Sequence, residues 1–167
     1  KDGSVTLTLG TDYTVSYGAN VNVATGGTVT VTGIGNYEGS TGSAAFDILK
    51  AELTKPTADT TVFTYNGSEQ TYVPVGVTDK MTVTGDKMTK AGSQTVTVAI
   101  SDKNNYQWTD GTDDNVTFTF TIGPKTGTLT VESVTGQTYT GSQITPTVTV
   151  KDGSVTLTLG TDYTVSY

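Results

Sequence analysis

Apolar and hydroxyl-bearing residues alternate along most of this chain. Val5, Leu7 and Leu9 are spaced by Thr6 and Thr8, and Tyr13, Val15 and Tyr17 by Thr14 and Ser16. The same rhythm runs through Val29 and Val31, through Val96, Val98 and Ile100, through Val116, Phe118, Phe120 and Ile122, and through Val148 and Val150. A period of two places one apolar and one polar face on an extended strand, the pattern of half-buried antiparallel sheets. Gly-containing turns punctuate the runs at Asp2-Gly3, Gly26-Gly27, Asn66-Gly67, Asp110-Gly111 and Asp152-Gly153. No window carries a helical stripe. The pattern therefore predicts an all-β chain with no helix longer than a single turn. It puts Phe118 and Phe120 on one face and predicts a core of Phe63, Val83, Val96, Val98, Ile100, Phe118, Phe120 and Ile122.

Two levels of repetition organise these strands. Lys1–Tyr17 and Lys151–Tyr167 are identical, KDGSVTLTLGTDYTVSY, at an offset of 150 positions. An exact repeat of that length signals duplication. A weaker repeat lies inside it. Gln137–Val150 (QTYTGSQITPTVTV) resembles Phe63–Val77 (FTYNGSEQTYVPVGV), and Asp12–Ser40 resembles Lys80–Trp108. Each ends in an alternating strand, Ser43–Leu49 or Val116–Ile122. The long period thus holds two related modules of roughly 75 residues, an ordinary size for a small domain. Residues 51–124 form a complete module B. Residues 1–50 supply the later part of module A, and residues 125–167 the earlier part of the next module A. On this reading the chain is a circularly shifted window on an A–B–A–B array.

The motifs inside the modules resemble the bacterial immunoglobulin-like surface repeats of the MBG and YDG type. They are Tyr65-Asn66-Gly67 and Tyr139-Thr140-Gly141, GTDYTVSY at Gly10–Tyr17 and Gly160–Tyr167, the turn at Gly33–Gly39 with its looser relative at Asn104–Thr112, and the closing FTFTI strand. The resemblance covers essentially the whole chain. It implies tandem small antiparallel β-sandwiches of immunoglobulin-like type, with a β-grasp-like sheet as the alternative. It also implies an extracellular, cell-surface stalk, fibre or adhesin with no catalytic residues. The module connections, Ile48–Leu53 and Ile122–Thr128, are short, which favours a stiff spacer. The rival reading is a glycan- or host-protein-binding repeat that gains from multivalency.

Composition narrows the chemistry. The chain has no Cys, no His and no Arg, and carries a net charge of −7. About forty of its residues are threonine, far above ordinary usage and suited to strands. An acidic chain without Arg is a poor nucleic-acid binder. No apolar run is long enough to span a bilayer, and no signal or sorting motif is present. Without His and Cys the usual general base, thiol nucleophile and transition-metal ligands are missing, so no enzyme is expected and no cofactor.

A few residues still carry candidate chemistry. Asp110, Asp113 and Asp114 sit in one short loop, TDGTDDN, where three carboxylates offer oxygen ligands to Ca²⁺; the alternative is a solvated turn. Trp108 beside Tyr106 offers a sugar-stacking platform or a core anchor. Tyr13, Tyr17, Tyr37, Tyr65, Tyr72, Tyr106 and Tyr139 suit corner roles, with the ring packed and the hydroxyl bonded to nearby backbone. Lys55, Lys80 and Lys90, with Asn66, Asn115, Gln94 and Gln137, are raw material for isopeptide or ester cross-links, which need a buried lysine. Asn66-Gly67-Ser68 and Asn115-Val116-Thr117 match the N-glycosylation pattern. The split module makes the last expectation. Val29, Val31, Phe46 and Ile48 in one part, and Leu129, Val131, Ile144 and Val148 in the other, lack their module's cover. The parts should pair between copies, head to tail, with one copy of the duplicated segment in the domain and the other displaced, disordered or a result of how the window is drawn.

Overall fold

A computed structural model describes residues 1–167, and it consists of strands and turns with a single 3-10 turn at Gly35–Tyr37 and no α-helix. Residues 1–50 form an antiparallel sheet of β1 (Tyr13–Tyr17), β2 (Ala24–Gly33) and β3 (Thr41–Ile48), with β2 central. Residues 51–124 hold β4 (Ala51–Leu53), β5 (Phe63–Thr64), β6 (Gln70–Thr71), β7 (Met81–Thr84), β8 (Lys87–Met88), β9 (Gly92–Ile100), β10 (Tyr106–Trp108) and β11 (Val116–Gly123). The last residues contribute β12 (Thr130–Val131), β13 (Val150–Asp152) and β14 (Val155–Thr156), paired in that order.

The middle segment is the best-packed part. Its four-stranded sheet has the order β5-β11-β9-β7, and two ribbons, β4 with β10 and β6 with β8, lie beside it. Period-two alternation turns Val96, Val98 and Ile100 of β9 and Phe120 and Ile122 of β11 inward, and all five are buried. One cluster joins Val96, Phe120 and Ile122 to Tyr72, with Phe63, Tyr65, Met88 and Phe118 packed against it. The other joins Val98, Ile100 and Met81 to Trp108, flanked by Leu53, Val77, Val83 and Phe118. Phe118 and Phe120 therefore share a face. The expected core residues Phe63, Val83 and Phe118 are half-buried at its margin. Tyr72, Pro74, Met81 and Trp108 complete the interior.

Outside this segment there is almost no interior. Of 13 buried residues, ten lie within 51–124; the rest are Gly27, Gly33 and Val150. The chain exposes 11484 Å², whereas a compact monomer of its mass exposes about 7,900 Å². The excess comes from residues whose apolar faces have nothing on them: Phe46, Leu129, Val131 and Ile144 are all exposed.

Three expectations need correction. The sheets are not wholly antiparallel, because β4 with β10 and β5 with β11 run parallel. Each of these pairs joins segments far apart in sequence, which leaves room for the crossover a parallel pair requires. The Val5–Leu9 alternation forms no strand in the first copy, where Asp2 and Val5 close an isolated bridge. The Val148–Val150 run pairs only at its end, Val150. Alternation prepares a strand, but an edge must lie beside it before the strand forms.

Candidate functional site

The three carboxylates of the 110–114 loop do not converge. The Asp110 carboxylate accepts from the Lys55 ammonium at 2.5 Å and from the Thr112 hydroxyl and backbone N–H at 2.7 and 3.1 Å. These bonds, Lys55 first, hold its pKa down to about 2. Asp113 faces Lys50 at 3.6 Å. Asp114 uses its backbone carbonyl, which accepts from the Trp108 indole N–H at 2.8 Å. No group of acids is gathered in metal-holding geometry. The loop's work is structural: it ties β10 and the β4 segment to each other.

Trp108 is fully buried, so its ring offers no face to a sugar. The cross-link candidates are also separated. Lys55 and Lys80 are bonded to Asp110 and Asp79, and both are substantially exposed, as is Lys90. The Asn66 side chain accepts from the Ser68 N–H, Gln94 donates to the Gly85 and Lys87 carbonyls, and Gln137 donates to that of Thr135. Asn115, like Asn66, is exposed. Among the tyrosines, Tyr72 takes the corner role: its hydroxyl accepts from the Asp59 N–H at 2.9 Å. Tyr139 does not, being 89% exposed.

Residues 1–50 and 125–167 lie at opposite ends of module B. Asn105, in the loop after β9, holds the first: the Val23 N–H donates to its side-chain oxygen at 2.8 Å and its amide donates to Asn22 at 3.1 Å. The Ala51 N–H donates to its carbonyl at 2.8 Å. Asn105 is itself fixed by donating to the Asp102 carboxylate at 2.7 Å, a bond that lowers the pKa of that acid. The second part meets Tyr65, Lys90 and Ala91, just before β9, across an open groove of about 530 Å³ that Leu129, Leu157 and Asp162 line on the other side. No strand pairing or ion pair joins 1–50 to 125–167.

The sheet of residues 1–50 repeats three strands of module B in the same register as far as Gly27, beyond which a bulge between Ala24 and Gly27 of β2 shifts it. In module B, Val83 faces Val98, and Val98 faces Val116 across β9. In module A, Val15 faces Val31, and Val31 faces Gly42 across β2. Val96 opposite Phe118 corresponds to Val29 opposite Ala44, and Gln94 opposite Phe120 to Gly27 opposite Phe46. At that last position the Phe46 ring lies over Gly27, where a Cβ would meet it at 3.0 Å. Module B carries a fourth strand on the far side of β11: β5 pairs parallel to it, Phe63 opposite Ile122, and the Tyr65 N–H donates to the Gly123 carbonyl at 2.9 Å. Beside β3 that place is empty. The matching segment, Gln137-Thr138-Tyr139, forms no strand, although its Tyr-x-Gly turn does form, with Gly141 at φ 76 where Gly67 has φ 81.

The duplicated segment behaves as two parts. Its centre folds the same way in both copies: the Thr8 N–H donates to Asp12 at 2.7 Å and the Thr158 N–H to Asp162 at 2.8 Å. Gly10 and Gly160 take the left-handed turn at φ 82 and 81, open to glycine at little cost. The flanks differ. In the second copy Lys151 and Asp152 lie in β13, paired with β12 and β14, while Tyr163–Tyr167 forms no strand. In the first copy Tyr13–Tyr17 is paired along its whole length with β2, and Lys1 has no partner. The Asp2–Val5 pairing recurs as Asp152–Val155, so the strand pairing that differs is Lys151 with β12 in the second copy and Tyr13–Tyr17 with β2 in the first. The tyrosines differ as well. The Tyr163 and Tyr167 hydroxyls donate to the Val148 and Pro146 carbonyls at 3.2 and 2.6 Å; Tyr17 is 73% exposed.

No family model, curated protein or solved structure matches the chain.

Proposed function

We propose that the chain is a segment of a tandem A–B array that serves as a stiff spacer in a bacterial extracellular stalk, fibre or adhesin. The observation that carries this reading is the shared register of the β1-β2-β3 and β7-β9-β11 sheets, beside the exact repeat of residues 1–17 at 151–167. Two modules with one strand plan, joined by short connections, are what a repeat array is made of. Asn105 supports the stiffness, since one side chain ties residues 22–23 to module B across the A–B junction. The buried Trp108 removes the one aromatic platform that favoured a glycan-binding repeat. The resemblance to MBG- and YDG-type immunoglobulin-like repeats is compatible with the all-β architecture, and it is what supports a surface location.

The test is length. Chains of one, two and three periods are compared by small-angle X-ray scattering. Each module should add roughly 30–40 Å, from strands of six or seven residues plus loops, so the longest dimension grows linearly with the number of periods. A dimension that grows only as a compact particle's would refute the spacer.

A further inference from the structure

We infer that the groove between module B and the segment after it is the seat of the Gly35–Tyr37 turn of the next period, and that Asn36 of that turn clamps the B–A junction as Asn105 clamps the A–B junction. The inference rests on the array reading of the proposed function. It adds the contact that fixes the second kind of junction, in an architecture whose stability lies partly in the interface between successive units.

The duplicated segment places the turn. In the first copy the turn rests on Thr11 and Asp12. The Ile34 N–H donates to the Asp12 carbonyl at 2.9 Å, and a Cβ on Gly35 would meet the Thr11 carbonyl oxygen at 3.6 Å. Tyr37 is half-buried. Burial, then the carboxylates of Asp2 and Asp12, raise its pKa, so both acids lie near its hydroxyl. In the second copy Asp2, Thr11 and Asp12 recur as Asp152, Thr161 and Asp162, and all three line the groove. Their backbone is the same. The Thr161 and Asp162 N–H groups donate to the Thr158 carbonyl at 3.2 and 2.8 Å, as those of Thr11 and Asp12 donate to Thr8 at 3.2 and 2.9 Å. A turn that follows the second copy as Ile34–Tyr37 follows the first therefore falls in the groove.

Module B supplies the other wall, and that wall matches the one Asn105 meets. Ala24 lies opposite Ile48, and Gly92 opposite Ile122. Ala91, just before Gly92, thus stands where Val23 stands before Ala24. Lys125, three residues after Ile122, stands where Ala51 stands after Ile48. Val23 and Ala51 are the residues whose N–H groups Asn105 holds, one with its side chain and one with its carbonyl. Ala91 and Lys125 both line the groove, and neither N–H has a protein partner. Asn36 precedes Tyr37 as Asn105 precedes Tyr106. The transferred geometry has the Ala91 N–H donating to the Asn36 side-chain oxygen and the Lys125 N–H to the Asn36 carbonyl. The brace differs. Asp102 fixes Asn105, and the shorter Ile34–Asn36 loop has no acid to match it. Asp152 takes that part: it already accepts from the Lys125 ammonium at 2.5 Å, and Tyr37 of the next period joins the pair.

The test uses the chain extended past Tyr167 by a second copy of residues 18–50, so that a whole module A follows module B and Ala91 occurs once. Amide exchange is followed residue by residue by NMR. The Val23 N–H, held by Asn105, is the internal reference. The Ala91 amide should exchange about tenfold more slowly in the extended chain than in the original, the scale of one hydrogen bond. Asn36→Leu in the added copy keeps the shape and removes the acceptor, and should restore the fast rate. The same change in the first copy should leave Ala91 slow. Asn36 is exposed, so neither change threatens the fold. Tyr163–Tyr167 reports separately on the array, because its amides slow when the added copy of β2 pairs with them. Slow amides there with a fast Ala91, or an Ala91 amide that ignores Asn36→Leu in the added copy, overturn the clamp and leave the array standing. Tyr163–Tyr167 amides that stay fast overturn both.

Discussion

Asp110 shows how a residue chosen for one chemistry performs another. Three acids in five positions suggest a cation site when only the sequence is in view, because spacing along the chain says nothing about which way each carboxylate turns. Lys55 lies 55 positions away, and that contact was not legible. Its consequence is a pH dependence of known sign. The folded pKa lies below the ordinary 3.8, at about 2. The stabilising effect is therefore complete above the unfolded value and is lost as pH falls from about 3.8 toward 2. Asp110→Asn should lower the melting temperature clearly at pH 7 and by much less at pH 2, where the folded carboxyl is already half protonated, measured by Trp108 fluorescence. An equal loss at both pH values would show that the Lys55 pairing is not the cause. Trp108, by contrast, was legible as a packing residue: a lone indole in a β domain most often finds a core and a carbonyl, here that of Asp114.

Among elements, the two sheets form a natural comparison. Val29 and Val96 occupy the same register position on a central strand, but Val96 is buried against Tyr72 and Phe120 while Val29 is only half-buried. Val96→Ala should cost roughly 2–3 kcal/mol through lost burial and the cavity left behind, and Val29→Ala less than about 0.5 kcal/mol in monomeric chain. Urea melts of the two variants decide it; equal effects would mean that module A has a core of its own. The strands most legible in the sequence are those with partners on both sides, β2, β9 and β11. Val5–Leu9 and Tyr163–Tyr167 alternate just as clearly and form no strand, because alternation is a property of the segment and pairing a property of its neighbours. The short parallel strands β4 and β5 carry no alternation to detect and exist only because β10 and β11 recruit them.

Taken whole, the molecule is a packed centre with two thinly covered ends. Stability should follow that division. In dilute solution the amides of β7, β9 and β11 should exchange only on global unfolding, whereas those of β1, β3 and β13 should exchange through local opening. Hydrogen exchange read by mass spectrometry would show two classes of protection, and a single class across all three parts would contradict the division. The repeat structure of the whole was legible from seventeen identical residues. Which flank of each copy finds a partner was not, because both copies have the same sequence and only their surroundings differ.

The parallel pairing of β5 with β11 has a further consequence, in time. Phe63 lies near the start of module B and its partner Ile122 near the end. As the chain emerges in order from one end, β5 waits exposed until every other strand of module B has appeared, and the last strand of the four-stranded sheet to arrive seals its first. Such distant closure is slow, because loop entropy is lost before the contact repays it. Until β11 arrives, β5 has no partner, and the four-stranded sheet closes only at the last step.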